Sequence, residues 1–184
     1  MSLRELTKEA HSNAERQEFV KILFSGKINP KLYATYLKNQ HPAYEILEVC
    51  AMPLGLLNGL PDIRRSPAIH ADFEELWDEK EDGAPQILPT TEKYIKYILS
   101  IKDDPKKLMA HIYVRHMGDL AGGQMIAKRV PGSGRYYKFE DPETLKTAIR
   151  ERISDDMAEE ANKCFNFATE LFMDMLTLVE YNDE

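Results

Sequence analysis

Residues 110–129 place three glycines around one acidic residue, in a stretch whose other residues favour an α-helix. Gly118, Gly122 and Gly123 surround Asp119. A glycine in a helix interior costs about 1 kcal/mol relative to alanine, so three together cost about 3 kcal/mol. Their spacing bares a strip of backbone that a large, flat molecule can approach closely, and the carboxylate beside the strip suggests chemistry as well as fit. A helix end followed by a turn is the alternative interpretation.

The histidines lie at spacings that exclude the common two-histidine metal motifs. None follows a glutamate by three residues, as the ligand pairs of di-iron helical bundles require, and no HExxH zinc motif occurs. A site with one protein ligand, such as haem held by a single proximal histidine, is compatible with the sequence. The five histidines are His11, His41, His70, His111 and His116.

His11 has the local surroundings best suited to such a ligand. On the predicted first helix, its neighbours Arg4, Lys8 and Glu15 fall within about 60° of it around the helix axis. Glu15 can accept a hydrogen bond from one imidazole nitrogen and leave the other for a metal. Arg4 and Lys8 can meet an anionic group at the edge of a ligand.

Each candidate also has a plain structural explanation. His11 fits an ordinary histidine at the border of a solvated, charged face, and the same spacing to a glutamate recurs at two other histidines. Lys146 and Arg150 form a cationic pair typical of a solvated helix face. Arg115 and Asp119 are also four residues apart, which favours a surface ion pair worth a few tenths of a kcal/mol.

The composition of the chain favours some classes of protein and argues against others. The chain has 184 residues, of which 43% are hydrophobic and 30% charged, and this predicts one globular domain over residues 1–184. A net charge of −7 argues against nucleic acid as a partner. The charged N-terminus and the lack of a long apolar run predict a soluble, cytoplasmic protein without a signal peptide or membrane anchor. Cys50 and Cys164 stand in no CxxC or CxxCH motif, which excludes covalent c-type haem.

The elements that must position these residues are helices. Four pairs of a capping residue and a proline mark helix starts: Asn29-Pro30, Ser66-Pro67, Asp104-Pro105 and Asp141-Pro142. Helices are predicted near 2–24, 30–51, 67–79, 91–102, 105–129, 142–153 and 155–180. Pro42 is expected to kink or interrupt the second, and only Tyr136–Phe139 hints at extended structure. The sequence therefore predicts an all-α fold.

Together these residues resemble the haem oxygenase family over nearly the whole chain. The segment LRELTKEAHSNAE resembles the proximal helix of the family, with His11 at the position of the axial ligand. The segment YVRHMGDLAGGQ resembles its distal-helix signature, usually written GDLSGGQ. Without a hydrophobic tail, the chain is similar to the compact soluble enzymes of bacteria, cyanobacteria, algae and their phages.

The resemblance implies a multi-helix bundle with haem sandwiched between a proximal helix and a kinked, glycine-rich distal helix. It implies that His11 ligates the iron and that Glu15 orients its imidazole. The distal helix would bring Gly118, Gly122 and Gly123 close to the haem, with Phe165 and Phe172 lining the pocket. Asp119 would hold a water that delivers protons, within a hydrogen-bond network that includes Arg115 and Tyr44. The propionates would meet Arg4, Lys8, Tyr113, Lys146 and Arg150.

The implied reaction uses haem b as substrate and prosthetic group together. With O2 and electrons from ferredoxin, it opens the ring at the α-meso carbon to biliverdin, CO and ferrous iron. A downstream bilin reductase and a monomeric state are further expectations. A non-catalytic haem carrier or sensor, another enzyme of the same fold and a helical interaction module are the alternatives. The sequence departs from the family at Ala121, where serine is usual, at Ala168, where some relatives carry asparagine, and at Arg4, where lysine is commoner.

Overall fold

The computed structural model describes residues 1–182, and side chains through residue 179. Within that part, the chain forms ten α-helices and no β-strand, which confirms the all-α prediction. The helices are α1 (Leu3–Leu6), α2 (Lys8–Glu15), α3 (Glu18–Phe24), α4 (Pro30–Ala51), α5 (Ser66–Leu76), α6 (Glu79–Asp82), α7 (Pro89–Ser100), α8 (Pro105–Ala127), α9 (Pro142–Arg150) and α10 (Ala158–Asn182).

Three of the four predicted capping pairs begin helices as expected. The side chains of Asn29, Asp104 and Asp141 accept hydrogen bonds from first-turn amides of α4, α8 and α9. The prediction for Ser66 was wrong, because this residue is the first residue of α5. Its hydroxyl donates to the carboxylate of Glu45 on α4, so a contact between helices replaces the local cap.

The predicted single helix over residues 2–24 was also wrong, because the structure divides it into α1, α2 and α3. At the first break, Thr7 leaves helical geometry with φ −106° and ψ 1°, and its hydroxyl donates to the Leu3 carbonyl at 2.9 Å. At the second, Gln17 is extended, with φ −63° and ψ 140°. Neither break carries glycine or proline, so local sequence signals did not mark them.

Three further features refine the predicted elements. Pro42 lies inside α4, which continues through it from Pro30 to Ala51. The stretch expected to be extended contains instead a 3₁₀ turn over Arg135–Tyr137. Helix α8 is continuous from Pro105 to Ala127, so the glycine-rich segment lies within a helix and does not end it.

The long helices pack around two hydrophobic clusters. Helix α4 packs on α5, α7 and α8, and α10 packs on α2, α3, α7 and α8. One cluster surrounds Leu47, Ile98 and Leu108, and the other surrounds Phe19 and Leu37. This arrangement brings α2, α4, α8 and α10 together around one cleft.

Candidate functional site

The cleft is bounded by five helices and by the 3₁₀ turn. It encloses about 840 Å³ of space, its open side included. Among the residues lining it are His11, Glu15, Tyr44, Arg115, Gly118, Asp119, Gly122, Gly123, Phe165 and Phe172. The structure thus brings together, from α2, α4, α8 and α10, most of the residues that the sequence analysis singled out.

His11 occupies the α2 side of the cleft. Its Nε2 lies 2.7 Å from Oε1 of Glu15, so the predicted pairing of these residues is present. Its ring stacks on Phe165, with ring centroids 4.9 Å apart and planes at 16°. The side chain is half exposed, and within the described residues its Nδ1 makes no hydrogen bond. Glu15 therefore orients the imidazole and engages one of its two nitrogens.

The three glycines of α8 serve two different purposes. A Cβ added at Gly118 or Gly122 would meet nothing within 4 Å, so both present bare backbone to open space. A Cβ at Gly123 would stand 2.5 Å from Cδ1 of Tyr137. Packing within the protein therefore explains Gly123, whereas Gly118 and Gly122 have no such explanation and leave room beside the helix.

Asp119 is a buried acid at the wall of this space. The Tyr44 hydroxyl donates to its Oδ2 at 2.6 Å. Burial raises the pKa of the Asp119 carboxyl to about 7, against the lowering effects of the Tyr44 hydrogen bond and of His116. The carboxyl can therefore take up or release a proton near neutral pH.

Arg115 does not form the surface ion pair that its spacing to Asp119 favours. Its Nε donates to the Tyr94 hydroxyl at 3.0 Å, and its guanidinium carbon lies 4.1 Å from the Tyr94 ring centroid. The Tyr94 hydroxyl is also 2.8 Å from Nδ1 of His111, whose Nε2 is 2.9 Å from Glu160. Arg115 is thus held by a chain of buried side chains that reaches α10.

Four polar residues of the cleft were missed by the sequence analysis: Tyr36, Gln40, Tyr136 and Tyr137. The Gln40 amide donates to the hydroxyls of Tyr36 and Tyr136, at 2.9 and 3.3 Å. Tyr36 and Gln40 precede Tyr44 at helical spacing, so the periodicity of α4 could have identified them. Tyr136 and Tyr137 reach the site only through tertiary packing, for which the sequence carries no local signal.

The residues that line the cleft lie within a match to a known protein family. The sequence model described as Heme oxygenase matches residues 1–174. This chain belongs to the haem oxygenase family. Both family motifs, one over α1 and α2 and the other in α8, lie within the matched region.

Relatives by sequence bear the same family name. Heme oxygenase 2 of Oryctolagus cuniculus is 29% identical over 94% of this chain, which spans 64% of the rabbit protein. Heme oxygenase 1 of Nostoc sp. is 26% identical over 94% of this chain and 84% of its own length. The chain therefore spans under two thirds of the mammalian relative and most of the cyanobacterial one.

Solved structures of the family share the fold. Heme oxygenase-1 from Synechocystis sp., solved in complex with heme, superposes with a TM-score of 0.81 at 22% identity, covering 97% of this chain and 94% of that one. Heme oxygenase from Leptospira interrogans gives a TM-score of 0.78 at 26% identity, covering 95% and 100%. Within residues 1–182, no helix is long and apolar enough to cross a membrane.

The five residues expected to meet the haem propionates are not among those that line the cleft. Lys146 pairs with Glu143 at 3.1 Å. Burial raises the pKa of Tyr113. The Thr7 hydroxyl and the charges of Arg4 and Arg150 lower it, which shows that these groups lie near Tyr113. The other expected contact, Lys8, is exposed.

The two departures from the distal pattern of the haem oxygenase family differ in position. Ala168 on α10 lines the cleft, so an asparagine there would add a polar group to its wall. Ala121 is exposed and is not among the lining residues. Of the two, Ala168 is the substitution that changes the chemistry of the cleft.

Proposed function

We propose that this member of the haem oxygenase family opens haem b at the α-meso carbon. The products would be biliverdin IXα, CO and Fe²⁺, with O2 as oxidant and reduced ferredoxin as electron donor. Family membership supports the reaction class. The observation that carries the proposal is Asp119, a buried acid with a pKa of about 7 beside the bare backbone of Gly118 and Gly122.

The residues of the cleft fit haem as its occupant. Gly118 and Gly122 leave open space where a Cβ would otherwise stand, as a flat macrocycle close to a helix requires. His11 supplies an imidazole nitrogen for the iron, with Glu15 orienting the ring. Phe165 and Phe172 line the cleft with aromatic surface. Arg4, Lys8, Tyr113, Lys146 and Arg150 are proposed to meet the propionates.

When bound, haem would supply both the iron that reacts with O2 and the ring that is oxidised. The protein's own contribution centres on proton supply. The Asp119 carboxyl exchanges a proton near neutral pH, and the Tyr44 hydroxyl keeps its Oδ2 oriented. Arg115, held by Tyr94, keeps a positive charge at the cleft wall. A binding protein has no need of such a buried, titrating acid.

Titration of the purified protein with haemin, followed by ferredoxin, ferredoxin reductase and NADPH, tests the proposal. We expect a Soret band of a histidine-ligated complex that decays to the spectrum of biliverdin, with one isomer by chromatography. Asp119→Ala should keep the Soret band and lose at least about tenfold in biliverdin formation, as removal of an acid–base group does. A wild-type Soret band that persists under reduction would support the non-catalytic carrier instead.

The partners follow from the reaction. We propose ferredoxin as the donor, a bilin reductase as the consumer of the product, and a monomer in the cytoplasm as the working form. Because ferredoxins are acidic, docking would use exposed cations such as Arg4, Lys8 and Arg150 despite the net charge of −7. Reduction by ferredoxin should then slow as salt rises, and a salt-independent rate would argue for another donor.

A further inference from the structure

Gln40 is buried, yet in the described part of the chain one of its amide atoms has no hydrogen-bond partner. Only 6% of the residue is exposed, and its Oε1 has no hydrogen-bond partner within the described residues. Its Nε2 donates to Tyr36 and Tyr136. Exchanging the amide oxygen and nitrogen would only transfer the unpaired position to the other atom. A buried amide in this state requires a further partner, because an unpaired polar group costs about 1–3 kcal/mol.

Gln40 also lines a second, small cavity. It has a volume of about 10 Å³, which is room for the centre of one water molecule. Gln40 and Arg115 line both this cavity and the main cleft. Asn39 also lines it, but its amide is fully engaged with Thr35 and Gln86, and its carbonyl oxygen with Leu88 and Thr91.

Arg115 supplies the complementary donors. Of its five N–H groups, only Nε has a hydrogen-bond partner among the described residues, the Tyr94 hydroxyl. A water in the small cavity can therefore accept from a guanidinium Nη and donate to Gln40 Oε1, which gives it the two or more polar partners that a buried water needs.

We propose that Gln40 is a positioning residue for Asp119, and that a single buried water joins its Oε1 to the Arg115 guanidinium. The Gln40 amide also donates to the Tyr136 hydroxyl. That hydroxyl neighbours both Tyr44 and Asp119. The water thus connects the Arg115–Tyr94 contact to the Tyr44–Asp119 contact through Gln40. This role in turnover rests on the proposed haem oxygenase activity, whereas the water itself does not.

Substitutions at Gln40 test the link in the protein without haem. Gln40→Leu keeps the approximate size and removes both hydrogen-bonding ends. Gln40→Glu keeps an oxygen acceptor and, when protonated, a donor. Thr169→Val is the matched control, because the Thr169 hydroxyl is also buried without a hydrogen-bond partner in the described part of the chain, but lines neither cavity. The water is followed by water–protein NOEs to Thr91 and Tyr94, and the Asp119 pKa by carboxyl ¹³C shifts.

We expect a long-lived water in the wild type, Gln40→Glu and Thr169→Val, and its loss in Gln40→Leu. The Asp119 pKa should rise in Gln40→Leu and stay unchanged in Thr169→Val, since only in Gln40→Leu does Tyr136 lose a polarising donor. Biliverdin formation should fall about tenfold in Gln40→Leu and recover in Gln40→Glu. No water in the wild type, or an unchanged Asp119 pKa in Gln40→Leu, would overturn the inference. If even the wild type leaves haem intact, the proposed function fails, and the water and pKa measurements still decide the link.

Discussion

The ring of Tyr137 packs directly on the backbone of Gly123, where a methyl group would lie 2.5 Å from Cδ1. The neighbouring Gly122 faces open space. Packing therefore requires a glycine at 123 but not at 122. Alanine substitutions at the two positions should have different effects on stability.

Gly123→Ala should destabilise the protein by about 1–3 kcal/mol, because the new methyl group must displace a buried ring. Gly122→Ala should stabilise it by up to about 1 kcal/mol, through helix propensity, and weaken haem binding by filling the strip. Urea unfolding and haemin titration of both variants measure this. If Gly122→Ala destabilised the protein as much as Gly123→Ala, there would be no open space beside Gly122.

Asp119→Asn should change how stability depends on pH. The unfolded carboxyl titrates near 3.8 and the folded one near 7, so the folded state keeps a proton that the unfolded state releases. Wild-type stability from this group is therefore full below pH 4, is lost as pH rises to about 7, and is constant above that. Between pH 5.5 and 8.5 the wild type should lose about 2 kcal/mol relative to Asp119→Asn. Unfolding curves of equal pH dependence would contradict the raised pKa.

Glu15→Ala should weaken haem binding and shift its Soret band, because His11 loses the carboxylate that orients it. The chain provides a matched control, since His70 and Glu74 form the same exposed i, i+4 pair at 3.0 Å on α5. Glu74→Ala should leave haem binding unchanged. Titration of both variants with haemin makes the comparison. A similar loss in both would assign the effect to surface charge.

Local signals in the sequence predicted much of the fold. Asn29, Asp104 and Asp141 mark helix starts because a cap is satisfied within a few residues of itself. Ser66 failed as a cap because Glu45, on another helix, takes its hydroxyl. The break at Thr7 was missed for a similar reason, since that residue is buried against the rest of the protein and carries no helix-breaking residue type.

In the candidate site, too, contacts within one helix could be predicted from the sequence, whereas contacts between helices could not. His11 and Glu15 are paired along one helix, so their spacing was enough to predict their contact. The contact of Asp119 with Tyr44 joins residues 75 positions apart, and only the family resemblance pointed to it. Gln40 could have been found only from the periodicity of α4, and Tyr136 had no such signal, although both complete the polar wall of the cleft.

The division of the N-terminal region into short helices also bears on how a product could leave. The helix that carries His11 is eight residues long and is bounded at both ends by turns. A short helix between two turns can move as a unit without unfolding the helices beside it. If the cleft carries out the proposed reaction, the opened, flexible tetrapyrrole would need a wider exit than the flat haem ring, and α2 is the wall whose movement would provide it.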